Sequence, residues 1–310
     1  MNKSIKVFAP ASVGNVACGF DVFGFAIDKP GDEVIAKLID KPSVTISKIS
    51  GDQGKLPLDP DKNTASVAIT QFLKQCNSHQ GIDIELHKKM PLGSGLGSSA
   101  ASAVAGVVAA NELLGNPLST KELLPFAIAG ERVASGSVHA DNVAPSLLGG
   151  FILIRSYDPL DIIPISTPPD LVCTVVHPQI EIRTEEARKI LPHQIPLKSA
   201  IQQWGNTAGL IAGMLNSDYD LIGRSLQDVV VEPVRASLIP GFYKVKKAAL
   251  EAGALGCSIS GSGPSLFALS SDFAVAEKIG SAMQNVFTKE NIESDVYISK
   301  INCEGAKVIG

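Results

Sequence analysis

Lys89-Met90-Pro91-Leu92-Gly93-Ser94-Gly95-Leu96-Gly97-Ser98-Ser99-Ala100-Ala101 sets three glycines within five residues and follows them with two hydroxyls where an alanine-rich stretch begins. Glycines there let the backbone turn tightly and approach a ligand without Cβ clashes. The first turn of a helix adds free N–H groups and the positive end of its dipole, so the combination suits a phosphate group. No lysine follows the glycines, which excludes a P-loop. Gly95 to Ala100 does fit G-x-G-x-x-A, the dinucleotide fingerprint, but that pattern should directly follow the first strand of a βαβ unit. Here Lys88 to Leu92, with a proline among them, intervene after a late strand. A loop that only caps a helix is the remaining alternative.

Other polar residues stand out by position. Asn15 and Asp21 lie among glycine and small apolar residues in the loop 11–21, as turn formers making their own Asx hydrogen bonds or as groups facing a ligand. Ser119-Thr120-Lys121-Glu122 is a capping-box pattern, and the helix it opens carries Glu131 near its end. A carboxylate there opposes the helix dipole, so Glu131 is either solvated, paired with a base such as Arg132, or held for a cation. His139-Ala140-Asp141-Asn142 falls in a polar loop. Gly261-Ser262-Gly263-Pro264 reads as a hairpin turn, and Gly256 to Ser260 lacks the last glycine of a nucleophile elbow.

The elements needed to position these groups follow from alternation and helical spacing. Strands are expected at 5–9 (ending at Pro10), 22–27, 33–39 and 44–49, then a helix at 64–77 entered through Asn63. A strand at 81–88 delivers the chain to the glycine loop, helices follow at 98–114 and 119–135, and a strand at 151–155. Pro164 to Pro169 marks a boundary between domains 1–166 and 167–310. Stripped of extra helices, the second half reads β-α-β-β-α-β, a ferredoxin-like order.

Length and composition agree with two domains. At 310 residues, 45% hydrophobic and 19% charged, the chain has the makeup of a soluble globular protein. A net charge of −4 without a basic run argues against a nucleic-acid partner. No signal-like N-terminus and no apolar run of membrane length are visible, so a cytoplasmic protein is expected. Five widely spaced cysteines without a CxxC pair fit reduced thiols rather than disulfides or zinc.

Taken in order, three segments resemble the GHMP kinases, named for galactose, homoserine, mevalonate and phosphomevalonate: Pro10-Ala11 through Asn15 to Gly19-Phe20-Asp21, Pro91 through Ala101, and Gly256 through Pro264. Further segments are similar to the members acting on homoserine: Gly19 to Gly24, His139 to Asn142, Thr184 to Arg188, Glu232 to Arg235 and Glu304 to Ile309. Val16-Ala17 departs from the pattern, where Leu-Gly is frequent. The resemblance implies an α+β fold with an N-terminal domain like domain 2 of ribosomal protein S5, a ferredoxin-like C-terminal domain, and an active site between them. It implies transfer of the ATP γ-phosphoryl group to the side-chain hydroxyl of L-homoserine, a step of threonine biosynthesis. A GHMP kinase for another substrate, such as mevalonate, and a non-catalytic regulatory relative are the alternatives.

The same resemblance implies roles. Asn63 and the loop residues Pro91, Leu92, Gly93, Ser94, Gly95, Leu96, Gly97, Ser98, Ser99, Ala100 and Ala101 surround ATP, and Glu131 with Ser98 holds Mg2+. Arg188 and Arg235 take the substrate carboxylate, Asp21 its ammonium, and Asn15, His139, Asn142, Thr184 and Gly261 complete the pocket. In mevalonate-type relatives an aspartate eleven residues beyond the metal-binding glutamate takes the hydroxyl proton; here that offset from Glu131 lands on Asn142, with Asp141 beside it as the alternative base. The oligomeric state stays open, a homodimer being one option.

Overall fold

Two long antiparallel strands start the first sheet: β1 (Ser4–Gly14) and β2 (Phe23–Ile39). The computed structural model describes residues 4–136 and 139–310. β1 runs through Pro10 rather than ending there, because Pro10 faces Gly31 where the register shifts and its missing donor is tolerated. For the same reason the two strands expected at 22–27 and 33–39 are one. β3 (Val44–Ser50), α1 (Thr64–Gln75), β4 (Gly81–His87) and α2 (Ser98–Leu113) follow.

The capping box at Ser119 and Glu122 opens a 3-10 turn, Thr120–Leu123, and only then α3 (Leu124–Ser135). Next, where a polar loop is expected, the chain forms α4 (Ala140–Leu148), with Pro145 inside it. β5 (Phe151–Tyr157) and β6 (Leu160–Ile165) pair with each other, and β5 also pairs with β2.

The second half contains β7 (Val172–Pro178), α5 (Thr184–Lys189), α6 (Leu197–Asn216), α7 (Tyr219–Ser225), α8 (Glu232–Arg235), α9 (Phe242–Glu251), β8 (Gly256–Ile259), β9 (Leu266–Ser270), α10 (Phe273–Lys289) and β10 (Ser294–Lys300). After α7, Asp228 accepts the N–H groups of Val230, Val231 and Glu232 and turns the chain into α8. The sheet order β10-β7-β9-β8, antiparallel throughout, is the ferredoxin-like arrangement. The chain then returns to the first sheet, where β11 (Lys307–Val308) pairs with β1 to give the order β11-β1-β2-β4-β3. The fold is therefore α+β, with two sheets among the described residues.

A shared core locks the sheets together. Phe23, Phe25 and Phe151 form an aromatic cluster, and Phe25 meets Phe267 of β9 edge-on at 6.0 Å. Each such fully buried side chain stabilises the fold by about 1.5–3 kcal/mol. α2 buries 13 of its 16 residues, and its small side chains let α1 come close: a Cβ on Gly106 would sit 3.0 Å from Ala65 O. Among the described residues no helix is long and apolar enough to cross a membrane.

Candidate active site

A cleft of about 820 Å³ opens where the glycine loop, the N-terminus of α2, α4 and the second half meet. The loop between β4 and α2 owes its shape to Gly93, Gly95 and Gly97, at φ of 62°, 76° and 69°, a region where side chains are strained. Gly95 has no room for a Cβ against Ser260 O. The loop's carbonyls are tied down on two sides: Leu96 O accepts from Ser12 N at 3.0 Å, Gly95 O from Ser260 Oγ at 2.8 Å, and Gly93 O from Ile182 N at 3.1 Å. With its carbonyls bonded outward, this loop can present N–H groups to an anion in the cleft.

Leu92, Gly93, Ser94, Gly95, Gly97, Ser98 and Ser99 line the cleft. Pro91 lines a smaller neighbouring cavity. Leu96, Ala100 and Ala101 are fully buried in the core, because the turn and the helical period carry them inward. Asn63 lines the cleft but caps α1, accepting from Ala65 N at 3.1 Å.

The two serines point to different partners. Ser99 Oγ donates to Glu131 Oε1 at 2.9 Å, whereas Ser98 Oγ donates to Asp32 Oδ2 at 2.9 Å. Ser98, expected beside Glu131, is thus replaced there by Ser99, since successive helical residues face about 100° apart. Glu131 is only 7% exposed, and burial pushes its carboxyl up to about 7 despite the Ser99 bond. Gly130 brings it under the loop: a Cβ there would meet Ala68 Cβ at 3.0 Å and Ala103 Cβ at 3.1 Å.

Asp32 and Lys88 are residues that the sequence reading missed. Both are buried and paired, and Lys88 Nζ also donates to Ser98 O at 2.8 Å and Ser102 Oγ at 2.7 Å. One signal was available: Ile82, Ile84 and Leu86 face inward, so alternation puts Lys88 at the next inward position.

At the other end, α4 and the loop 15–21 hold the titratable groups. Asn15, at φ 70°, donates from Nδ2 to Gly261 O at 2.7 Å and accepts from Asp21 N at 3.0 Å. Val16 and Ala17 continue at φ 42° and 56°, conformations that typically cost 1–3 kcal/mol in non-glycine residues. Cys18 O, accepting from Thr207 Oγ1 at 3.1 Å and Gln203 Nε2 at 3.2 Å, fixes the strained turn. At Ala17, where the resembling pattern often has glycine, glycine would relieve that strain.

Arg188 Nη2 donates to Asp21 Oδ1 at 2.7 Å and lies 3.2 Å from His139 Nδ1. Burial alone would raise the Asp21 pKa, but His139, 3.6 Å away, and the Arg188 hydrogen bond outweigh it and hold the carboxyl below its usual range. Arg235 is 2% exposed; its Nε and Nη1 each donate to a carbonyl, of Ala187 and Gly261, at 3.1 Å. Burial first and then the charge of Arg188 pull it down to about 10.

Asp141 Oδ2 accepts from Asn15 N at 3.2 Å and from Asn142 Nδ2 at 3.3 Å, while Oδ1 has no hydrogen-bond partner among the described residues. Burial and the nearby Asp21 charge raise its pKa well above the carboxylate range. Asn142 Oδ1 accepts from Ser12 Oγ at 3.0 Å. Thr184 and Gly261 complete the wall. Asp21, His139 and Asp141 bring ligand atoms within 4.8 Å of one another, yet Arg188 already engages Asp21.

Residues 63–150 match the GHMP kinases N terminal domain and residues 210–289 the GHMP kinases C terminal domain. A homoserine kinase from Chloroherpeton thalassium is 58% identical, aligned over 99% of this chain and 100% of its own. The crystal structure of homoserine kinase from Cytophaga hutchinsonii superposes with a TM-score of 0.98 at 61% identity, covering 100% of this chain and 98% of that one. An L. major mevalonate kinase in complex with R-mevalonate, at 15% identity, TM-score 0.72 and 97% coverage of both chains, shares the fold. The chain belongs to the homoserine kinase family of the GHMP kinases.

Proposed function

We propose that this protein transfers the γ-phosphoryl group of ATP to the side-chain hydroxyl of L-homoserine, giving O-phospho-L-homoserine and ADP. One observation carries the reading: a glycine loop suited to phosphates and a second cluster suited to a zwitterion, Arg188 and Arg235 with Asp21, share one cleft. Guanidinium groups bind carboxylates bidentately, and Asp21 offers the opposite charge to an ammonium. Mevalonate has a carboxylate but no ammonium, so Asp21 would lack its counterpart.

In this assignment Arg188 and Arg235 fix the carboxylate, Asp21 exchanges part of its bond with Arg188 for the ammonium, and the substrate hydroxyl reaches toward Asn142. N–H groups of residues 93–99 neutralise charge on the phosphates as the new O–P bond forms and the bond to ADP breaks. Phosphoryl transfer through a loose transition state depends mainly on positioning and charge neutralisation. Asn142 cannot take a proton; Asp141, whose Oδ2 accepts from Asn142 Nδ2 at 3.3 Å, is a group beside it able to do so. Mg2+, when bound, would supply charge shielding to the phosphate groups. Its hard-oxygen chemistry fits the Glu131 carboxylate and the Ser99 hydroxyl, the two protein groups that would hold it. A coupled ADP-release assay across homoserine, mevalonate and galactose tests the reading: turnover with homoserine above the others is expected, and preference for either of the others refutes it.

A further inference from the structure

Arg188 and Arg235 share one aromatic neighbour, Phe20: the Cζ atom of each lies 5.1 Å from the same ring centroid. Two guanidinium groups brought this close repel each other, and the only salt bridge between them and a carboxylate among the described residues runs from Arg188 to Asp21. Among the described residues Arg235, the more buried, hydrogen-bonds to backbone carbonyls alone. A ring attracts a cation through its negative π-face without consuming an N–H donor. A carboxylate at position 20 would bind those donors and compete with a substrate carboxylate. An aliphatic side chain would leave the repulsion without that offset.

Phe20 is itself held by rigid neighbours. Gly19 has no room for a Cβ against the Phe23 ring. Asp21, at φ 60°, donates its N–H to Asn15 Oδ1 at 3.0 Å, and its carbonyl accepts from Tyr157 Oη at 2.9 Å. The backbone that carries the ring is thus anchored on both sides.

We infer that Phe20 is a positioning residue for substrate specificity: its ring holds Arg188 and Arg235 together without taking up an N–H donor of either, so that the cleft favours an amino alcohol bearing an α-carboxylate over one lacking it. The inference rests on the homoserine reading above. It goes beyond that reading by assigning the discrimination to a side chain that makes no hydrogen bond to substrate.

Steady-state kinetics of the parent, Phe20→Leu and Phe20→Tyr, with homoserine and with 3-amino-1-propanol, its counterpart without the carboxylate, test it. Phe20→Leu should raise the homoserine KM about tenfold, the scale of two partly desolvated cation–π contacts, with kcat and the ATP KM near parent values. Preference for homoserine over 3-amino-1-propanol should fall by the same factor, and Phe20→Tyr should restore it. If Phe20→Leu gives no folded protein by circular dichroism, Phe20→Met carries the same expectations. An unaltered homoserine KM, or equal losses on both substrates, overturns the inference. A parent enzyme that turns over other hydroxyl substrates but not homoserine overturns the underlying reading, and the inference with it.

Discussion

Ser99 gives its hydroxyl hydrogen to Glu131 across 2.9 Å, from the first turn of the helix that follows the glycine loop. Its neighbour Ser98 belongs to a different system, the buried Asp32–Lys88 pair. The two serines should therefore fail differently. Ser99→Ala should raise the magnesium concentration needed for half-maximal ADP release with little effect on melting. Ser98→Ala should lower stability by about 1–3 kcal/mol, the usual cost of leaving a buried charged group short of a partner. Magnesium titrations beside thermal melts distinguish them, and the opposite pattern would return the metal-facing role to Ser98.

Bulk in the loop should act on nucleotide. Gly97 sits at φ 69°, and a Cβ there would lie 3.1 Å from Asn142 Oδ1 and tighter still against Ser12 Oγ. Calorimetric titration of Gly97→Val with ATP should show weakened binding; unchanged affinity in a folded variant would leave the loop a purely structural turn.

Much of this site is legible in the sequence because it is local. The glycine loop, the strand before it and the helix after it occupy consecutive residues, and their positive-φ positions are the glycines. What local patterns do not carry is long-range pairing. The Asp32–Lys88 pair spans 56 positions, and the continuation of β1 through Pro10 depends on Gly31 across the ladder. α4 is hidden by its own polar start and by Pro145, so Asp141 and Asn142 read as loop residues until helix packing places them against Asn15 and Ser12. Phe20 lies within the Gly19-Phe20-Asp21 segment, but nothing local pairs it with Arg188 and Arg235.

Asp141→Asn should keep measurable turnover, since a loose transition state asks little of a base. Rates measured at saturating homoserine and ATP check this. Loss of activity to background, with both substrates still bound by calorimetry, would make Asp141 the base.

Acid stability has a candidate source away from the cleft's chemistry. Burial pulls His177 down to about 4 from the ordinary 6.5, while Ser265 Oγ lies 3.0 Å from its Nδ1. Because the folded pKa is depressed, the stabilisation of the neutral ring is complete above about pH 6.5 and is lost as pH falls toward 4, by at most about 3 kcal/mol. Urea unfolding at pH 7, 6, 5 and 4 should show this slope in the parent and a flatter one in His177→Asn, whatever that variant's stability at pH 7. Equal slopes would remove His177 from the account.

The most direct measurement is the kinetics of Arg235→Leu. Arg235 is buried, bonded to two carbonyls, and within the wall of the cleft. Removing one partner of a desolvated charge pair typically costs about 2–5 kcal/mol. The homoserine KM should rise by orders of magnitude while the ATP KM stays near its parent value. An unaltered homoserine KM would mean that the carboxylate is held elsewhere, contradicting the assignment of this cleft to homoserine.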